Sequence, residues 1–184
     1  MIHKSPTVRA ATVYWLLPLG FILHDVEELL TMTDWIARHQ QELEEIASLG
    51  DVARRLVQSV PVSRVEVGVT IGLELVVLVA VTVLATRRPD SRLRLFTYAA
   101  SLGIFVVHAL THALQVFLFR SYVPGVVSAV TVIPAVGIIV YRRLFTSGAL
   151  TLRTALVATL AGALVFLPLF TGLVALARRV ERVL

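Results

Sequence analysis

The sequence predicts an all-α fold: a polytopic membrane bundle of five transmembrane helices, with an interfacial amphipathic helix between the first two. Three observations carry this. Of 184 residues, 57% are hydrophobic and the mean hydropathy is +0.84, values hard to keep soluble in one compact domain of this size. Five apolar runs are long enough for a hydrocarbon core of ~30 Å, which takes roughly 20 helical residues. The arginines gather in short connections beside those runs, as expected of loops flanking membrane helices, so the formal charge of +5 reads as topology and not as a nucleic-acid surface.

The spans are expected at about 11–30, 65–86, 93–119, 123–143 and 150–177. The first could pass for a signal peptide, because Lys4 and Arg9 precede the apolar run from Trp15 to Leu23. No small-x-small cleavage site follows, so a retained helix is predicted, with Pro18 as a kink. Between the first two spans lies the longest polar segment. Its Leu43, Ile46, Leu49, Ala53 and Leu56 recur at helical spacing, which predicts an amphipathic helix on the membrane surface, interrupted near Gly50. The other connections are "RRPDSRLR", "RSYVPG" and "RRLFTSGALTLR", with no internal repeat or low-complexity linker. Residues 1–184 are therefore read as one membrane domain. Seven arginines lie in the loops at 87–94 and 142–153, which places the N-terminus in the cytoplasm by the positive-inside rule. Trp15, Tyr14, Trp35 and Tyr122 are expected in interfacial belts, and Glu66 in solvent at a helix end.

Ionisable side chains at membrane depth cost on the order of 3 kcal/mol each, so each is a functional hypothesis. The first helix carries His24, Glu27 and Glu28; the second, Glu74; the third, His108 and His112. At about 100° per residue, His24, Glu27, Glu28 and Thr31 form one stripe. His108, Thr111, His112 and Gln115 form another, while Asp25 points elsewhere. His24, Glu74 and His112 also lie at one depth, roughly 9–14 Å below the outer face. Three imidazoles and three carboxylates meeting there suit a divalent ion, zinc or iron, with manganese possible, and either one ion or two. The absence of cysteine excludes thiolate ligands and cysteine nucleophiles. A His–Glu network tying helices together without metal, and a proton or metal carrier, are the non-enzymatic alternatives. Ser128 and Thr131 line the cavity from the fourth helix or mediate close packing.

"WLLPLGFILHDVEELL" followed by "HALTHALQVFLFRSYVPGVVSA" resembles the HXXEE family of small bacterial membrane proteins. His24, Glu27 and Glu28 stand for its naming motif. A histidine pair, a glutamine and an arginine–tyrosine–proline–glycine turn form its second signature, matched by His108, His112, Gln115, Arg120, Tyr122, Pro124 and Gly125. Ser121 stands where many relatives have a second arginine, and Ser128 where threonine is common. The resemblance implies an integral protein of the bacterial inner membrane and strengthens the site, but it supplies no reaction. The turn around Pro124 is expected to start the fourth helix, or, with Arg120, to grip an anionic headgroup.

These residues together predict an intramembrane metal-dependent enzyme, a hydrolase acting on a lipid-like or membrane-partitioned substrate. His24, Glu28, His108 and His112 are the foremost ligands, and Glu74 a ligand or bridge. Glu27 and Glu28 are the catalytic carboxylates, Glu27 as ligand or general base. Thr111, Gln115, Arg120, Tyr122 and Ser128 are expected to support the site or meet the substrate. A non-haem di-iron oxidoreductase is the enzymatic rival, since carboxylate–histidine sites in helical bundles also hold di-iron centres.

Overall fold

The computed structural model describes residues 12–88 and 91–184, and every described secondary-structure element is helical. In chain order these are α1 (Leu16–Arg38), α2 (Gln40–Ser48), α3 (Asp51–Gln58), α4 (Arg64–Arg87), α5 (Arg92–Phe119), α6 (Val126–Thr146) and α7 (Leu152–Glu181). Lys4, Arg9, the start of the predicted first span and part of the 87–94 loop lie outside the described residues.

Four of the described helices, α4 to α7, are long and apolar enough to cross a membrane. α1 falls short of that standard because Asp25, Glu27 and Glu28 sit in its middle. The outer surface of the bundle is apolar to match: Val76, Leu110, Phe117, Ile138, Leu160 and Leu164 are all exposed. In water such a surface would be an aggregation site, whereas lipid tails cover it without cost.

α1 packs on α4 and α6, while α5 packs on α4, α6 and α7. Small residues set how closely the helices approach. A Cβ on Gly103 would lie 2.0 Å from the Thr159 hydroxyl of α7, and one on Gly20 would lie 2.7 Å from Val136 of α6. The core at this end is tightly apolar, with Leu17, Tyr98, Leu102, Ile133 and Val140 fully buried. A long-range polar tie within it is the Tyr98 hydroxyl, which donates to the Tyr14 carbonyl at 2.9 Å.

Several local expectations change. α1 runs on to Arg38, past the end expected near residue 30. Pro18 lies in its first turn, where a missing N–H removes no helical hydrogen bond, and the chain is helical again at residues 12–14, before a break at Trp15. The polar segment does break at Gly50, whose φ of 150° favours glycine, separating α2 from α3. Glu66 is buried instead of solvated: its carboxylate accepts from the Val62 N–H at 2.9 Å and faces the Arg178 guanidinium at 3.5 Å. Ser63 caps α4 by accepting from the Glu66 N–H at 3.0 Å, a capping arrangement spelled out by "SRVE". Arg178 also donates to the Gln58 and Val60 carbonyls, fixing the link between α3 and α4. Tyr14 and Trp35 are buried, not belted at an interface. Trp15 and Tyr122 are the exposed pair of the four aromatics expected in belts.

Candidate metal centre

The polar arc of α1 fans out over three neighbouring helices. His24 and Glu28 meet His108 and His112 of α5, Glu27 turns to the start of α6, and Asp25 is buried on the side of Glu74 in α4. One ligand atom each from His24, Glu28, His108 and His112 falls within 4.8 Å of the others. Glu28 is the hub. Its Oε1 lies 3.3 Å from His112 Nε2, 3.6 Å from His24 Nε2 and 3.7 Å from His108 Nε2.

The hydrogen bonds around the cluster determine which imidazole nitrogens face inward as lone pairs. The Ser128 hydroxyl donates its single proton to the Glu27 carboxylate, 2.5 Å away. Its contact with His24 Nδ1 at 3.0 Å is then an N–H donated by the imidazole. That assignment leaves His24 Nε2 as a bare acceptor, and it is buried without any hydrogen-bond partner. The same logic holds on α5. The Thr111 hydroxyl donates to the His108 carbonyl at 2.7 Å, so its oxygen takes the His108 Nδ1–H at 3.3 Å. His108 Nε2 thus also faces Glu28 as a lone pair. His112 Nε2 lies 3.0 Å from it.

A carboxylate oxygen and at least two imidazole lone pairs therefore converge with too few protons to pair them. Electron pairs pointed at one spot repel unless a cation accepts them, and hydrogen bonding of the far nitrogen is how proteins orient metal-ligating histidines. The donor set of three nitrogens and one oxygen suits zinc, iron or manganese.

Other expected site residues are placed as follows. Glu27 accepts from the Val127 N–H at 3.2 Å, the Ser128 N–H at 2.8 Å and the Tyr122 hydroxyl at 2.7 Å. It thus caps the N-terminus of α6, where orphan N–H groups and the helix dipole favour an anion, and it stands outside the four converging ligand atoms. Its effect on the cluster runs through Ser128. Glu74 is half-buried, its Oε1 has no hydrogen-bond partner, and it lies within electrostatic reach of His108 and Glu28. Gln115 and Arg120 are exposed, Arg120 capping α5 in a left-handed conformation at φ 48°. Thr131 bonds its own helix through the Val127 carbonyl.

Some contributors were not expected. Gly125 at φ 78° lies against the cluster: a Cβ there would come within 2.8 Å of His24 Cε1 and 2.9 Å of Glu28 Cγ. The "PG" pair announced a turn, but only the fold shows that the turn is the wall of the site. Trp35 holds that wall in place by donating to the Tyr122 carbonyl at 2.7 Å while stacking on His39. Asp25 is 5% exposed and its Oδ2 has no partner. Periodicity alone placed it off the main stripe without showing that α4 covers it.

No curated protein and no solved structure matches the chain. Residues 15–140, from the start of α1 into α6, match the family described as "Protein of unknown function with HXXEE motif". The match takes in all four converging residues, and the chain belongs to that family.

Proposed function

We propose that this protein is an intramembrane metal-dependent hydrolase acting on a lipid-like or membrane-partitioned substrate, its cation held by His24, Glu28, His108 and His112. The observation that carries the proposal is the convergence of their ligand atoms within 4.8 Å, with the outer nitrogens of His24 and His108 already committed to hydroxyls. A purely structural network would leave fewer orphans, since a buried polar atom without a partner costs about 1–3 kcal/mol. Here His24 Nε2 and His112 Nδ1 both lack one.

α1 serves as a fifth span. Leu19, Leu23 and Leu30 are exposed as on the neighbouring spans, whereas Asp25 and Glu28 turn inward. α2 and α3 lie on the membrane surface at the outer end of the bundle. Neither has a buried residue, and Leu49, Val52 and Leu56 stand exposed for burial among headgroups. The arginine distribution puts the N-terminus in the cytoplasm and the site in the outer half of an inner membrane.

A divalent ion supplies Lewis acidity to a carbonyl or phosphoryl oxygen and acidifies water. The chain's own groups do the rest. Ser128 and Thr111 hold two imidazoles in their ligating tautomers, and Gly125 keeps a side-chain-free wall against His24 and Glu28. Glu27 has both oxygens occupied by α6 and Tyr122 and holds Ser128 against His24. The half-exposed His108 and the exposed Thr111 and Gln115 form the polar edge at which a headgroup would be met.

A di-iron oxidoreductase is favoured by one observation, the extra carboxylates Asp25 and Glu74 beside the cluster. The two readings separate when metal-loaded protein is incubated with bacterial membrane lipids and the products are resolved by mass spectrometry. Hydrolysis predicts cleaved lipid that disappears in Glu28→Gln. Oxygen uptake by the iron form without cleavage would replace it with the oxidoreductase, and stoichiometric metal with neither activity would leave a carrier.

A further inference from the structure

We infer that Asp25 and Glu74 hold a second cation beside the first, with Glu28 shared between the two positions. The inference rests on the metal-centre reading above and extends it to a residue that helical periodicity leaves off the ligand stripe.

Burial is the first support. Asp25 is 5% exposed, and Asp25 Oδ2 and Glu74 Oε1 are buried without a hydrogen-bond partner. An uncompensated carboxylate in such a place costs several kcal/mol, and natural structures pair it, protonate it or give it to a metal. Among the described residues no lysine or arginine pairs with them: in α4 and α5 the arginines stand only at or near the helix ends, and α1 has none before Arg38. Glu27, the remaining acid of the arc, is satisfied by α6 and needs nothing from this side.

Register is the second support. Leu29 of α1 lies against Gly68 of α4 and Asp34 faces Arg64 at 3.8 Å, so the two helices run antiparallel. Counting back one turn, Asp25 stands level with residue 72, two positions from Glu74. At ~1.5 Å rise per residue the two backbone positions are offset by about 3 Å along the helix axes. Each lies within electrostatic reach of Glu28, and Glu74 within reach of His108. Glu28 Oε1 faces the three imidazoles, so a bridge to the second position falls to Oε2.

The chemistry of the second position differs from the first. It is supplied by carboxylate oxygens, which suit a harder ion such as manganese, magnesium or iron(II). Pairs of ions about 3.5–4 Å apart are a recurring hydrolytic arrangement, one ion on each side of the reacting group. The competing outcome is a proton shared between Asp25 and Glu74, as between paired carboxylates elsewhere.

The test uses manganese(II) as the probe. Metal-free protein in detergent is titrated with manganese chloride, bound metal is counted by elemental analysis after desalting, and electron paramagnetic resonance reports spin coupling between neighbouring ions. Wild type is expected to hold two ions per chain with a coupled signal. Asp25→Asn and Glu74→Gln, on different helices, are each expected to hold one with an uncoupled signal, so loss of folding in one variant leaves the other to decide. One ion in wild type overturns the second site and leaves the first standing. Two ions in wild type and in both variants overturn the assignment to these residues. No bound ion in wild type, with zinc and iron(II) also failing, overturns the metal-centre reading itself.

Discussion

The two halves of the bundle are built on opposite principles. At the end where α5 begins, helices approach on glycine and alanine, and the buried residues are apolar apart from Thr82. At the end where α5 stops, the buried residues include His24, Asp25, Glu66, Thr70, His112 and Ser128, and several of their polar atoms have no partner. In the first half Thr82 Oγ1 is the one such atom among the described residues. In the second, the Arg178 guanidinium answers Glu66, but no positive charge stands where the polar side chains of α1 and α5 meet. Stability is thus concentrated in one half and unspent ligand capacity in the other, which makes the two separable by mutation.

The largest effect is expected from crowding the apolar half. Gly103→Leu would force a side chain into the space of Thr159 and should cost about 3 kcal/mol or more, read as lost thermal stability in detergent, because overpacking alone costs 1–3 kcal/mol. Gly172→Leu, with open space around it, should leave the melting temperature nearly unchanged. If both behaved alike, the contrast between a packed half and a functional half would fail.

Next come changes that spare the fold and damage the site. Gly125→Ala places a Cβ against His24 and Glu28 on a backbone with φ 78°, and should weaken metal binding more than it lowers the melting temperature. Ser128→Ala removes the acceptor that holds the His24 Nδ1–H. Metal affinity is expected to fall about 10–100-fold, the usual cost of losing such a partner, with Ser128→Thr retaining it. Metal titration by calorimetry checks both, and an unchanged affinity in Ser128→Ala would remove the hydroxyl from the account. The smallest effect is expected from Trp35→Phe, which keeps a ring beside His39 but loses the bond to the Tyr122 carbonyl and should cost about 1 kcal/mol of stability.

Much of this was legible in the chain because it depends on local pattern. Apolar runs locate α4 to α7, Gly50 marks the break between α2 and α3, and spacing puts His24 with Glu28 and His108 with His112. What stayed hidden depends on which neighbour stands opposite a given face. A helical wheel separates Asp25 from Glu28, but not an acid facing lipid from one covered by α4. Glu27 shares its stripe with His24 and Glu28, yet the N-terminus of α6 arrives at its height and takes it. Glu66 looked solvated because Arg178 lies 112 residues away. Trp35 looked interfacial because its acceptor belongs to a loop 87 residues on.

The central claim is that the histidine–glutamate cluster exists to hold a cation, and elemental analysis of the purified protein tests it most directly. Wild type prepared without chelators should carry at least one zinc, iron or manganese ion per chain, and His24→Ala and His112→Ala should lose it while remaining folded. A folded wild type without stoichiometric metal, or variants that bind as much as wild type, would contradict the claim.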